Sequence, residues 1–373
     1  MSSIYLHIPF CRNKCSYCSF NSYAGFDSLH PRYLRALIGE IAAGPDLAGP
    51  LDTLFVGGGT PTVLNFEDLT ELLETCREKY GFAANAEVSI EANPESVGNQ
   101  VLHVLRKAGF NRLSIGVQSL QDRELSALGR VHDSGTAQQA IIDARRAGFD
   151  NLSIDLMYGV PDQTPKSWGE SLQKILALGP RHLSAYQLSI EADTEFMRMS
   201  REGGLGLPKE DSVLEMEDIT RETCSEHGLQ HYEISNFARP THRCRHNEVY
   251  WSGGSYFAAG PGAARHLNGR RETNHRSTTT YMRRVLAGMS PVAETETLSP
   301  EERARERLIF QLRMLEGVNK HDFTRDTGFN VDELAGEPLS EFAQLGLIEI
   351  VGDHIRLTRD GLMISDALWP ELL

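Results

Sequence analysis

The chain of 373 residues has only six cysteines, no low-complexity tract and no excess of positive charge. Nor does it have an apolar run near the eighteen or so residues that a membrane helix needs. Each shortage excludes something. Without such a run no spanning helix is expected. The opening MSSIYLHIPF has no basic region leading into a long apolar stretch, so no secretory signal is expected and the reading is cytoplasmic. In that reducing compartment a disulfide framework is excluded, and clustered cysteines bind metal or do redox chemistry instead. With 37 Lys and Arg against 51 Asp and Glu, the net charge of −14 argues against a general nucleic-acid-binding face, so no nucleic-acid partner is expected.

Half of the scarce cysteines nevertheless fall in HIPFCRNKCSYCSFNSY, as Cys11, Cys15 and Cys18. Structural zinc wants four protein ligands in paired spacing, and the remaining cysteines stand far away. Three thiolates at C-x3-C-x2-C fit a [4Fe–4S] cluster better, one iron being left for a small-molecule ligand. Tyr17 and Phe20 are expected to shield it. Charge is also uneven. Between Arg239 and Arg284 nine arginines face only Glu248 and Glu272, a local balance of +7 that asks for an anionic partner or is simply a solvated surface.

The first half alternates strands and helices. Strands are expected at 3–8, 51–56, 86–92, 112–117, 151–159 and 182–190, with amphipathic helices between them; Cys76 falls on the apolar face of one. Six such units predict a parallel sheet closed into a partial (β/α)6 barrel over 1–210. Functional groups of such barrels gather at the strand C-terminal ends, which here carry the cysteine cluster, Gly57-Gly58-Gly59, Glu91, Gln118, Asp155 and Gln187. An Arg/His-rich extension follows over 211–297. At 298–373, Ser299, Pro300 and Glu302 open a helix, and helices followed by a hairpin at 347–358 suggest a small winged-helix-like α+β domain for packing or docking.

With these motifs in order, the sequence resembles the radical S-adenosylmethionine (SAM) superfamily. Within it, YLHIPFC, GGGTPT, SIEANPE, SIGVQS, IDLMYGVP and HNEVYW resemble the oxygen-independent coproporphyrinogen III oxidases and the related heme chaperones, over nearly the whole chain. The resemblance implies that Cys11, Cys15 and Cys18 hold the cluster and that its open iron chelates SAM. It implies a SAM pocket made by Tyr5, the bare backbone of Gly58, Gly59 and Thr60, the acid Glu91, and Gln118, Arg130 and Asp155. Active oxidases are generally longer at the N-terminus and carry a further cysteine where this chain has Phe20. That difference, and the H-N-x-x-Y-W pattern, favour the chaperone branch, with the oxidase (oxidative decarboxylation of coproporphyrinogen III) as the alternative and a structural zinc protein as a remote third.

A chaperone of this kind implies heme or porphyrin as ligand and client hemoproteins as partners, including respiratory, membrane-bound ones that could draw it to a membrane periphery. A homodimer is left open. His246 is the first candidate for iron ligand, with Tyr250 and Trp251 covering the macrocycle and Arg243, Arg245, Arg270 and Arg271 pairing with propionates. Cys244, His242 and His266 are rival ligands. His266 lies two places beyond Ala264, where many relatives have His.

Overall fold

The computed structural model describes residues 1–373. Its centre is a nine-stranded sheet. Six parallel strands follow one another in chain order: β1 (Ser3–Ile8), β2 (Leu51–Gly58), β3 (Phe82–Ala92), β4 (Arg112–Gln118), β5 (Asn151–Tyr158) and β6 (His182–Gln187). Helices α1 (His30–Ala42), α2 (Phe66–Tyr80), α3 (Asn99–Ala108), α4 (Ser134–Arg146) and α5 (Pro165–Ala177) fall between them. The sixth strand stops at Gln187, three residues short of the expected end.

Alternation along these strands decides which side faces what. Ile4, Leu6 and Ile8 of β1, Leu54 and Val56 of β2, and Leu113, Ile115 and Val117 of β4 are buried in one large core with the covering helices. The residues between them are Tyr5 and His7, Thr53 and Phe55, and Arg112 and Ser114, and they face the barrel interior. That interior is polar, because Glu87, Ser89, Arg112, Ser114, Ser153, His182 and Ser184 are all buried there. A buried polar face costs stability unless its groups are paired, so a polar lumen marks where the fold serves something other than its own packing.

Both edges of the sheet are extended from the 211–297 segment. β7 (Gln230–Glu233) and β8 (Asn236–Ala238) add antiparallel strands beyond β6, and β9 (Phe257–Ala259) returns to pair parallel with β1. The strand order is therefore β9-β1-β2-β3-β4-β5-β6-β8-β7. Helix α6 (Glu210–Glu226) contributes Met216 and Cys224 to the same core, as do Tyr281 and Met282 of a later helix (Thr278–Leu286). The segment thus shares the barrel's core and does not fold around one of its own. Glu40 of α1 fastens the two parts. Its buried carboxylate accepts hydrogen bonds from Gly260 N, Asn274 Nδ2 and the Tyr281 hydroxyl.

A small antiparallel sheet, β10 (Ala264–Leu267), β11 (Arg270–Asn274) and β12 (Val292–Thr297), lies beside the barrel. The last unit has its own core of 16 buried residues, from Ala304 to Leu372. Helix α7 is Arg245–Trp251. Helices α8 (Pro300–Leu312), α9 (Lys320–Thr327) and α10 (Val331–Gln344) pack in the last unit on the three-stranded sheet β13 (Val318–Asn319), β14 (Ile348–Val351) and β15 (His354–Leu357). The capping box at its start is formed: Ser299 Oγ accepts from Glu302 N, and Glu302 Oε2 accepts from Ser299 N. No helix is long and apolar enough to cross a membrane.

Candidate functional site

The chain leaves β1 through Phe10 and enters the cysteine loop above the barrel mouth. This loop is braced by hydrogen bonds to distant elements. Ser16 N donates to Leu128 O, Asn13 Nδ2 to Gly129 O, and Arg12 Nη1 to Glu95 O, while Ser16 O accepts from Phe196 N. Lys14 ties it internally by donating to Phe20 O and Ser22 Oγ.

The three thiols are half-buried and line one cavity with Gly58, Gly59, Thr60, Glu91, Gln118, Arg130 and Asp155. Ten of the eleven residues that the sequence assigned to cluster and SAM therefore meet in one place. The eleventh, Tyr5, lies in the adjoining cavity of 310 Å³, which shares Gly58, Glu91 and Phe20 with the first. Its hydroxyl is 3.1 Å from His7 Nδ1. Tyr17 lines the cysteine cavity, but Phe20 is 67% exposed and forms a rim more than a shield.

Soft sulfur donors and buried acids characterise the site. Burial pushes the Cys11 thiol up, against the hydrogen bonds of Thr60 and Ser22. Thr60 Oγ1 lies 3.5 Å from Cys11 Sγ, and Arg130 Nη1 lies 3.5 Å from Cys15 Sγ. Burial, followed by the nearby Asp155 charge, raises the Glu91 carboxyl to about 7, although Gly58 N donates to it at 3.0 Å. Asp155 is likewise raised by burial, opposed by Ser184 and Ser114. Two buried carboxylates in one wall favour a positively charged ligand, which would relieve both. Beside them Gln118, at the unusual φ of 69°, has a buried Oε1 with no hydrogen-bond partner. An orphaned acceptor of this kind asks for a donor from outside the chain. These groups fit SAM, whose sulfonium and ammonium are cationic, and the thiols fit an iron–sulfur cluster.

The glycine triplet has a reason within the chain itself. A Cβ on Gly59 would sit 2.5 Å from Phe10 O and 2.9 Å from Ile8 O, both rigid backbone. One on Gly58, where φ is 110°, would meet the His7 ring at 2.5 Å, and one on Gly57 would meet the Glu91 carboxylate at 2.7 Å. Bareness at Gly58 thus has a second reason beside the expected approach of SAM, because packing against His7 already requires it. We expect Gly59→Ala to lower stability by about 1–3 kcal/mol, the usual cost of overpacking. An unchanged urea midpoint would show that the loop yields freely.

Sequence reasoning missed Asn93. It donates from Nδ2 to Thr60 Oγ1 at 2.8 Å, and its Oδ1 accepts from Arg130 Nη2 at 2.7 Å, joining two walls of the pocket. Its position just past Glu91 at a strand end was the available signal.

His246 is placed differently from expectation. Helix α7 plugs the other end of the lumen, where the Glu87 carboxylate accepts from Arg245 N and His246 N. Both ring nitrogens of His246 are used, Nδ1 by Thr53 Oγ1 at 2.8 Å and Nε2 by the Tyr250 hydroxyl at 2.7 Å. The ring stacks on Phe55, and burial lowers its pKa to about 3. It holds the fold together and presents no free nitrogen. The rival Cys244 is also buried, its thiol pushed up to about 12.

The four arginines expected to pair with propionates are engaged within the chain as well. Arg243 pairs with Glu248 and Glu316, Arg265 with Glu40 and Glu272, Arg270 with Glu272, and Arg271 with Glu296 and Glu306. Arg245 donates to Asn85 O. Glu40, Glu296, Glu306 and Glu316, all distant in sequence, thus offset part of the local +7, while Arg239, Arg276, Arg283 and Arg284 form no ion pair. Tyr250 and Trp251 do face a cavity, on the outer side of α7.

A family model for the radical SAM superfamily matches residues 5–175, and one for the HemN C-terminal domain matches residues 298–364. The heme chaperone HemW of Bacillus subtilis is 35% identical over 100% of this chain and 99% of its own. The corresponding protein of Mycobacterium tuberculosis is 36% identical over 99% of this chain and 94% of its own. The chain belongs to the HemW family. Its HemW fold is also that of a solved structure, the coproporphyrinogen III oxidase HemN of Escherichia coli, at a TM-score of 0.86 and 26% identity, covering 100% of this chain and 89% of the other. In HemW terms, the two matched segments fall in units with separate cores, the first in the barrel with its cysteine loop, whose core runs on to Met282, and the second in the C-terminal helices with their small sheet.

Proposed function

We propose that this protein is a heme chaperone: it binds heme and passes it to client hemoproteins, with a [4Fe–4S] cluster on Cys11, Cys15 and Cys18 and SAM beside it. The full-length similarity to relatives named as heme chaperones carries this reading. The cluster and SAM are supported by the convergence of three thiols, two buried carboxylates and an orphaned amide oxygen in one cavity. When bound, the cluster supplies one-electron chemistry and an iron site open to a ligand. The chain's own residues bind and orient: Arg130 and Asn93 hold the walls together, Glu91 and Asp155 attract a cation, and Tyr17 restricts water.

The second reading is the oxidase, favoured by the likeness to HemN. One experiment separates the two. Cluster-loaded protein, incubated anaerobically with coproporphyrinogen III and SAM, should yield no appreciable protoporphyrinogen, yet should take up hemin and release it to an apo-hemoprotein. Quantitative decarboxylation would favour the oxidase.

A further inference from the structure

One positive side chain stands in the barrel lumen apart from both the SAM cavity and α7. Arg112 opens β4 and is only 2% exposed. It lies opposite Ser89 in the parallel register, while Ser114, two residues on and on the same face, lies opposite Glu91. On β3 the same alternation sends Glu87, Ser89 and Glu91 into the lumen. Arg112 is therefore level with the middle of that stripe, between an acid at the foot of the lumen and an acid at its mouth.

The two acids serve different ends. Glu87 accepts from Arg245 N and His246 N at the start of α7. Glu91 and Asp155 line the SAM cavity, which Arg112 does not reach. Asp155 is tied to the Arg112 strand through Ser114 Oγ, which donates to it at 3.0 Å. No carboxylate closes on the guanidinium to ion-pair distance. Its Nε has no hydrogen-bond partner, and neither has the Ser89 hydroxyl across from it. A charge buried this deeply is costly without compensation. Here it must come from acids beyond contact distance, whose field is little screened away from water.

The other titratable groups facing Arg112 are held neutral by burial. The imidazoles of His182 on β6 and His246 on α7 are pushed down, and the Tyr232 hydroxyl on β7 and the Cys244 thiol before α7 are pushed up. Around Glu91, burial likewise keeps Tyr5, Tyr186, Tyr250 and His7 neutral. The guanidinium of the cavity itself, Arg130, is spent on Asn93 Oδ1 and Gly116 O, and Arg276 at the mouth is exposed to solvent. Three lumen acids are left to one unengaged guanidinium.

We propose that Arg112 is the counter-ion shared by Glu91, Asp155 and Glu87, a positioning residue that readies the two mouth acids for a cation without touching it. The proposal rests on the SAM reading. Its consequence is that the foot of α7 and the SAM cavity communicate through one charge, because what Glu87 takes from Arg112 is lost to Glu91 and Asp155.

The test is calorimetry with SAM on the full-length, cluster-loaded chain between about pH 6 and 9. Wild-type affinity should rise with pH and level off near 7, where Glu91 ionises. In Arg112→Met, which exchanges a buried charge for apolar bulk, the levelling-off should move up by about one pH unit. Arg112→Lys should restore it. Glu87→Gln should move it down by about half a unit, because the guanidinium then serves two acids. A merely structural role would weaken binding equally at every pH and move neither profile. A folded Arg112→Met chain with the wild-type profile would therefore overturn the proposal. If that chain does not fold, an unmoved profile in Glu87→Gln would overturn it instead. A wild-type chain that binds no SAM would overturn the SAM reading itself, and the proposal with it.

Discussion

A Cys15→Ala chain reconstituted anaerobically will carry no [4Fe–4S] cluster and will lose SAM binding, whereas the wild type will hold about four irons. Three protein thiolates are the fewest that leave a single iron open, and with two the cluster has a second unprotected corner. The loss should be chemical and not a failure to fold. Cys15 is half-buried, and the loop around it is held by Ser16, Asn13 and Arg12 through bonds that do not involve the thiol. Arg130 also keeps its bonds to Asn93 Oδ1 and Gly116 O. The thermal unfolding of the cluster-free protein should therefore move by less than about 1 kcal/mol. Iron analysis with the visible spectrum checks the first claim, and calorimetry with SAM the second. An intact cluster in the variant, or zinc in the wild type purified without air, would refute the assignment.

Glu91→Gln should weaken SAM binding by about thirtyfold at pH 8, the lower end of the 2–5 kcal/mol lost when one partner of a buried charge pair is removed. The pH dependence follows from burial. Glu91 is held at about 7, so in the free protein it is half protonated near neutrality. A cationic ligand favours the ionised form. Affinity should accordingly rise with pH, by close to tenfold per unit below 7, and level off above it. For folding the sign is opposite. A carboxyl whose pKa is raised in the folded state contributes stability below its unfolded value near 4.5, and that contribution is lost as pH rises through 7. In Glu91→Gln both dependences should flatten. A pH-independent SAM affinity in the wild type, measured by calorimetry between pH 6 and 8, would show that Glu91 does not meet the cation.

The barrel was legible because its strands alternate sharply. SIYLHI, RLSIGV and NLSIDLMYG announce one apolar face, and their ends bring Cys11, Glu91, Gln118 and Asp155 together as barrels do. The charged and histidine-rich part was less legible, for a reason of sequence distance. Arg271 looked free because its partners Glu296 and Glu306 come from a later strand and helix, and Arg265 because Glu40 lies on the first helix. His246 looked like a ligand because nothing nearby in sequence announces Thr53 on one side of its ring, nor that a seven-residue helix would close the lumen. His266 ranked only as a rival ligand, because it lies two places beyond Ala264, where many relatives have His. Only the pleat of β10, and a C-terminal unit that supplies Phe310 and Arg303, turn it towards a cavity.

The pairing of β9 with β1 sets an order in time. The cysteine loop begins where β1 ends, yet β1 is flanked on one side by residues 257–259, and Asn21 in the loop donates to Pro261 O and Arg276 O. A ribosome that has released the first 240 residues has displayed all three thiols of the loop and every SAM-pocket residue, but not the edge against which the loop is braced. Domains fold as units during synthesis, and contacts this distant in sequence close last. Iron loading on a finished site therefore has to wait until about three-quarters of the chain is out, and a nascent chain stalled before Phe257 exposes three thiols without their brace.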